Sequence, residues 1–252
     1  MSAFFNEPKL KQAVMSRLRE DRRLDRLAQG VYFKDGKGCH LGCLTRCNQN
    51  SHQATERLFN IPLRIAYWLE VVFEGLPREK CEWWVIEGTS AIPVGADLSK
   101  AHHELSYWLL GPDSPSSEGN KNDLVSESIS LTRRLHRQAA DGLVVTPDQW
   151  SEAAIRSAKW AAAASASLLW SSPKWAAKTA FESASGSALS VKWALNCSAK
   201  LSWPSAWISI AEKSIEIFKS CPIVECDKFE ESIQTAMDSI NNVVSPIAFE
   251  VR

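Results

Sequence analysis

Residues 146–170 read TPDQWSEAAIRSAKWAAAASASLLW, and this stretch points to a mainly α fold. Thr146 is set to cap a helix, and Pro147 takes the first helical position, where a missing N–H costs nothing. Gln149, three residues after Thr146, completes a capping box. Trp150, Ala154, Ala158, Ala162, Ala166 and Trp170 then recur every four residues and share one helix face. A second ladder, Ser172, Ala176, Ala180, Ala184 and Ala188, follows Pro173. Such stripes let helix backbones approach at the low end of the usual separation of about 8–10 Å. The spacing predicts helices over 147–171, 173–202 and 205–219, broken at Ser172-Pro173 and Trp203-Pro204, and a last helix over 227–243. The sequence therefore predicts an Ala/Ser/Trp-rich helical domain over 146–252. Lysines recur through the tract, which excludes a membrane span.

Before this tract, residues 1–145 read as a mostly helical N-terminal domain. Leu10, Val14, Leu18, Leu24 and Leu27 give an amphipathic helix over 8–28, with Asn6 as its cap and Pro8 in the first turn. Around residues 31–45 the pattern changes to a small irregular or β element, where Val31-Tyr32-Phe33 runs into Asp35-Gly36. Asn60-Ile61-Pro62 opens an apolar helix through Phe73, closed by Gly75 and Pro77. Helices are also expected over 79–88, 99–110 and 123–140, with a loop at 111–122.

Composition excludes several classes. The chain has 252 residues, 45% hydrophobic and 23% charged, with zero formal net charge. There is no global pull toward nucleic acid or an anionic membrane. No run approaches the ~20 apolar residues of a span, and no signal-peptide pattern opens the chain. Seven cysteines without a secretory pattern argue for reduced thiols. These points place the protein in the cytoplasm, which is the host cytoplasm if it is phage-encoded.

The segment GKGCHLGCLTRCNQNSHQATE, residues 36–56, concentrates the side chains that can do chemistry. It supports three readings. Cys39, Cys43, Cys47 and His52 supply four N/S ligands for a zinc ion, though not at the spacing of a standard finger. Cys39 or Cys43 as nucleophile, with His40 or His52 as base and Glu56 orienting it, would give a thiol enzyme. Alternatively, Gly36, Gly38 and Gly42 let the backbone turn tightly while small cysteines pack inside, with no cofactor. Gly36, Lys37 and Gly38 are also candidates to cradle a phosphate, without P-loop spacing. His102-His103-Glu104 reads as solvent-exposed. Arg17, Arg19, Arg22, Arg23 and Arg26 interleave with Glu20, Asp21 and Asp25, the pattern of a salt-bridged solvated helix.

Three blocks carry a resemblance: QGVYFKDGKGCHLGC at 29–43, SHQATERLFNIPLRIAYWLEVVFEGLP at 51–77 and AIPVGADLS at 91–99. With the Ala/Ser/Trp-rich tract, they resemble a family of uncharacterised bacterial and bacteriophage proteins. Where that family commonly has a histidine after the second cysteine, this chain has Arg46 and Cys47. The resemblance implies a phage or prophage setting and brings no catalytic residue.

The expected function is therefore non-enzymatic: a binding or interaction protein, sequestering or inhibiting a host component. Its expected partner is a protein or another copy of itself, and a small signalling molecule is also considered. The alternatives are an enzyme using the Cys39–His52 region and a nucleic-acid binder using the basic N-terminal helix.

Overall fold

The computed structural model describes residues 2–114, 123–167, 205–224 and 230–241. Among them are ten α-helices and one two-stranded sheet, the mainly α fold expected from the sequence. The chain divides into two compact units, residues 1–99 with 218–252, and residues 100–217. The compositional boundary at Thr146 falls inside the second unit. Among the described residues no helix is long and apolar enough to cross a membrane.

In the first unit, α1 (Pro8–Arg23) starts at the expected residue, but its cap is Glu7 rather than Asn6. Asn6 sits in the left-handed region (φ 58°), whereas a cap needs extended backbone. Glu7 supplies that backbone, and its carboxylate accepts the Lys9 N–H at 3.0 Å. Leu10, Val14 and Leu18, four residues apart, are buried along one face. The helix ends at Arg23 rather than 28. Asp25 turns left-handed (φ 50°), its N–H bonds the Arg22 carbonyl, and Arg26 N–H bonds the Asp21 carbonyl at 2.9 Å. This is a Schellman ending with aspartate where glycine is usual.

A hairpin follows, β1 (Phe33–Lys34) and β2 (Lys37–Gly38), pairing Phe33 with Gly38 and Lys34 with Lys37. Asp35 and Gly36 both take positive φ, 51° and 79°, as a two-residue type I′ turn requires. Then come α2 (His40–Thr45), α3 (Ser51–Phe59), α4 (Leu63–Gly75) and α5 (Arg78–Ser90). Helix α4 is apolar nearly all round and runs through the core, with Ile65, Trp68, Leu69, Val72 and Phe73 buried and one buried charge, Glu70. Trp84 on α5 is fully buried and donates its indole N–H to the Leu69 carbonyl at 2.9 Å. Each such indole removes roughly 150–250 Å² from water, worth about 4–6 kcal/mol.

The second unit contains α6 (Ala101–Leu109), α7 (Asp123–Ala140) and α8 (Pro147–Ser167); α9 (Ser205–Ser220) begins in it, and α10 (Glu230–Asn241) belongs to the first unit. The capping box at α8 forms as predicted: Thr146 N–H donates to Gln149 Oε1 at 2.8 Å, and Gln149 N–H donates to Thr146 Oγ1 at 3.3 Å. Trp150 and Ala154 pack with Val145 and Leu131 around buried Leu135 and Ala153. The upper part of the first alanine ladder, the second ladder and the helix expected at 173–202 lie outside the described side chains. His102, His103 and Glu104 are half-buried rather than exposed. His103 Nδ1 meets Nδ1 of buried His136 at 3.0 Å, and its ring stacks on Trp150, which draws this face of α6 inward.

Candidate functional site

The glycine–cysteine block is built around one main-chain carbonyl, that of Tyr32. A Cβ at Gly38 would lie 2.1 Å from this oxygen, and one at Gly42 only 1.4 Å from it. No side chain fits at either position, so the two glycines are enforced by close backbone approach. The same close approach puts Cys39 N–H 2.6 Å from the Val31 carbonyl and 3.0 Å from the Tyr32 carbonyl. Cys39 thereby becomes the N-cap of α2, its sulfur accepting the Gly42 N–H at 3.4 Å.

The other thiols of the block serve the backbone. Cys43 donates to the Gly38 carbonyl at 3.4 Å and the Arg26 carbonyl at 3.7 Å. Cys47 donates to the Thr45 carbonyl at 3.5 Å. Burial pushes both Cys39 and Cys43 up to about 12, so both are neutral thiols at physiological pH. His40 is fully buried, with Nε2 2.8 Å from Thr89 Oγ1, and burial lowers it to about 4. It is a neutral core histidine.

The titratable groups that converge are a different set. Cys39 Sγ and the carboxylates of Glu70 and Glu74 all lie within 4.8 Å of one another. Glu70 and Glu74 are one turn apart on α4 and share a face. Gln29 donates to the carbonyls of Phe73, Glu74 and Leu76 at the end of α4, and the neighbouring Gly30 N–H donates to Glu74 at 2.8 Å. His52, on α3, pairs through Nε2 with the Glu70 carboxylate. Its ring stacks on Tyr67 at 3.8 Å and meets Tyr32 edge-on at 6.0 Å. Burial and the Glu70 charge push the Tyr32 phenol up to about 12. Cys39, His52 and Glu70 are all buried, and Glu74 is half-buried.

The residues singled out in the sequence therefore separate. Among the described residues, no three of Cys39, Cys43, Cys47 and His52 bring donor atoms within 4.8 Å of one another. Glu56 accepts the Leu63 N–H at 2.9 Å, at the start of α4, while His52 pairs with Glu70. Of the phosphate-cradle residues, Gly38 N–H donates to the Arg26 carbonyl and Lys37 pairs with Asp25 at 3.3 Å. Glu70 and Glu74 escaped notice because they sit in an apolar helix, far in sequence from the cysteines. The four-residue spacing of two acids in an otherwise apolar run was the available signal.

In the basic run, four arginines have partners in the fold. Arg17 donates to the carbonyls of Leu44 and Ser239, Arg22 pairs with Glu82, Arg23 with Glu20, and Arg26 with buried Asp21. No protein-family model matches the chain, and no curated protein or solved structure matches it.

Proposed function

We propose that this chain is a non-enzymatic binding protein of the cytoplasm that works through a protein partner or a second copy of itself. The observation that carries this reading is a set of large aliphatic side chains left in water in the second unit. In the segment joining α7 to α8, Leu143 is 60% and Val144 is 91% exposed, while the adjacent Val145 packs into the core. Ile155, on α8, is 57% exposed. Leu143 and Val144, side by side in the chain, put two large aliphatic groups in water that gain by being covered.

The state of the thiols weighs against the enzyme alternative. Cys43 and Cys47 spend their hydrogens on main-chain carbonyls, and a buried neutral thiol is a poor nucleophile. Cys39, Cys43, Cys47 and Cys81 are thiols rather than disulfides, which supports a reducing compartment. The intramolecular pairing of Arg17, Arg22, Arg23 and Arg26 weighs against the nucleic-acid alternative.

Native mass spectrometry and light scattering of wild type and Val144→Asp, each purified from cells, test the reading. Wild type is expected as a self-associated or partner-bound species, and Val144→Asp as a folded monomer. A wild type that is monomeric and carries no macromolecule would overturn it.

A further inference from the structure

Cys39 differs from the other buried thiols of the first unit. Cys43, Cys47 and Cys81 each give their hydrogen to main-chain carbonyls. The Cys39 sulfur instead accepts, from the Gly42 N–H, and among the described residues its own hydrogen meets no acceptor. This sulfur, on a residue 1% exposed, faces the Glu70 and Glu74 carboxylates. Two carboxylates on one helix face repel when both are ionised, and burial raises the cost of each. Their surroundings nonetheless orient them as acceptors: His52 holds Glu70, and Gly30 N–H holds Glu74.

We propose that Cys39, Glu70 and Glu74 bind one transition-metal dication, zinc by donor chemistry, and that His52 is a positioning residue acting through Glu70. The donors come from two elements fixed independently, the α2 cap and the core helix α4. A sulfur donor selects zinc over magnesium or calcium, which take oxygen ligands. Three protein ligands leave a fourth tetrahedral position for a water or an atom of a bound molecule. On binding, the Cys39 S–H gives up its proton to solvent and the thiolate bonds the metal, with the Gly42 N–H already directed at the sulfur. The pair His52–Glu70 is the carboxylate–histidine arrangement that holds a ligating group in place, reversed so that the carboxylate is the ligand.

The full chain is stripped with chelator and titrated with zinc chloride or cobalt(II) chloride. About one equivalent of zinc is expected to bind, and cobalt(II) is expected to show a sulfur-to-metal charge-transfer band in the near ultraviolet. Cys39→Ser removes the band and Cys47→Ser keeps it. Glu74→Gln, at the half-buried edge, folds like wild type and binds zinc at least about tenfold more weakly. His52→Gln keeps the sulfur band and weakens zinc by about 10–100-fold. A folded wild type that takes up no stoichiometric zinc overturns the proposal. A cobalt–sulfur band that survives Cys39→Ser overturns it as well.

Discussion

Replacing Gly42 by alanine separates two accounts of the glycine–cysteine block. Gly42 lies inside α2, so helix propensity alone predicts that alanine stabilises by roughly 0.5–1 kcal/mol. The packing predicts the opposite sign. The new Cβ would fall 1.4 Å from the Tyr32 carbonyl oxygen and 2.3 Å from its carbon. Both atoms are backbone, so the 31–33 segment must withdraw by about 2 Å to restore ordinary contact. A shift of that size breaks the bonds from Cys39 N–H to the Val31 and Tyr32 carbonyls. Overpacking costs about 1–3 kcal/mol, and a buried unpartnered N–H a further ~1–3. The net loss after the helical gain is about 1–5 kcal/mol. Gly36→Ala is the control: its φ is +79° but nothing lies within 4 Å, so the loss is only the left-handed penalty of about 1–2 kcal/mol. Urea unfolding followed by tryptophan fluorescence measures both. If Gly42→Ala is as stable as wild type, or more stable than Gly36→Ala, the close-approach account is wrong.

The structure yields three further expectations. His40 is held neutral, lowered to about 4 from an ordinary value near 6.5, so the unfolded chain binds the extra proton between those values. Its share of stability is intact above pH 6.5 and falls by about 3 kcal/mol as pH drops toward 4; an NMR titration of the His40 ring with a midpoint near 6.5 would contradict this. Arg46→Ala removes the 2.8 Å partner of fully buried Asp21 and leaves the partly exposed Arg26 at 3.6 Å. A loss of about 2–4 kcal/mol is expected in chemical denaturation, and no change would show that Arg26 alone suffices. Thr146→Ala deletes the hydroxyl acceptor of the α8 capping box and is expected to cost about 1 kcal/mol, read as a lowered melting temperature; an unchanged melt would remove the box from the account.

Periodic elements were legible in the sequence because one residue type per turn announces a buried face. The capping box at Thr146 and the apolar run of α4 are of this kind. The end of α1 was not legible, because Asp25 holds a left-handed position usually marked by glycine. Helix α3 was missed for a related reason: its flanking residues, Asn50 and Asn60, are both left-handed, and most of its buried face (Ser51, His52, Ala54 and Thr55) is small or polar rather than apolar. The block at 36–56 stands out from spacing alone and Gly36 is the turn residue expected, whereas Gly38 lies in β2 and Gly42 inside α2. What the spacing could not reveal is that the tightness comes from a carbonyl at Tyr32, outside the block. Nor could it reveal that Cys39 looks toward Glu70 and Glu74, about thirty residues on in sequence, because that meeting depends on how α2 seats against α4.

The most direct test of this account is the alkylation profile of the native, metal-free chain, with each cysteine followed by mass spectrometry. Cys43, Cys47 and Cys81 donate to main-chain carbonyls, and Cys39 is buried at about 12, so none of the four should react at neutral pH until urea unfolds the chain. Fast, selective alkylation of Cys39 or Cys43 in the folded protein would contradict the account and turn the block from architecture into a reactive site.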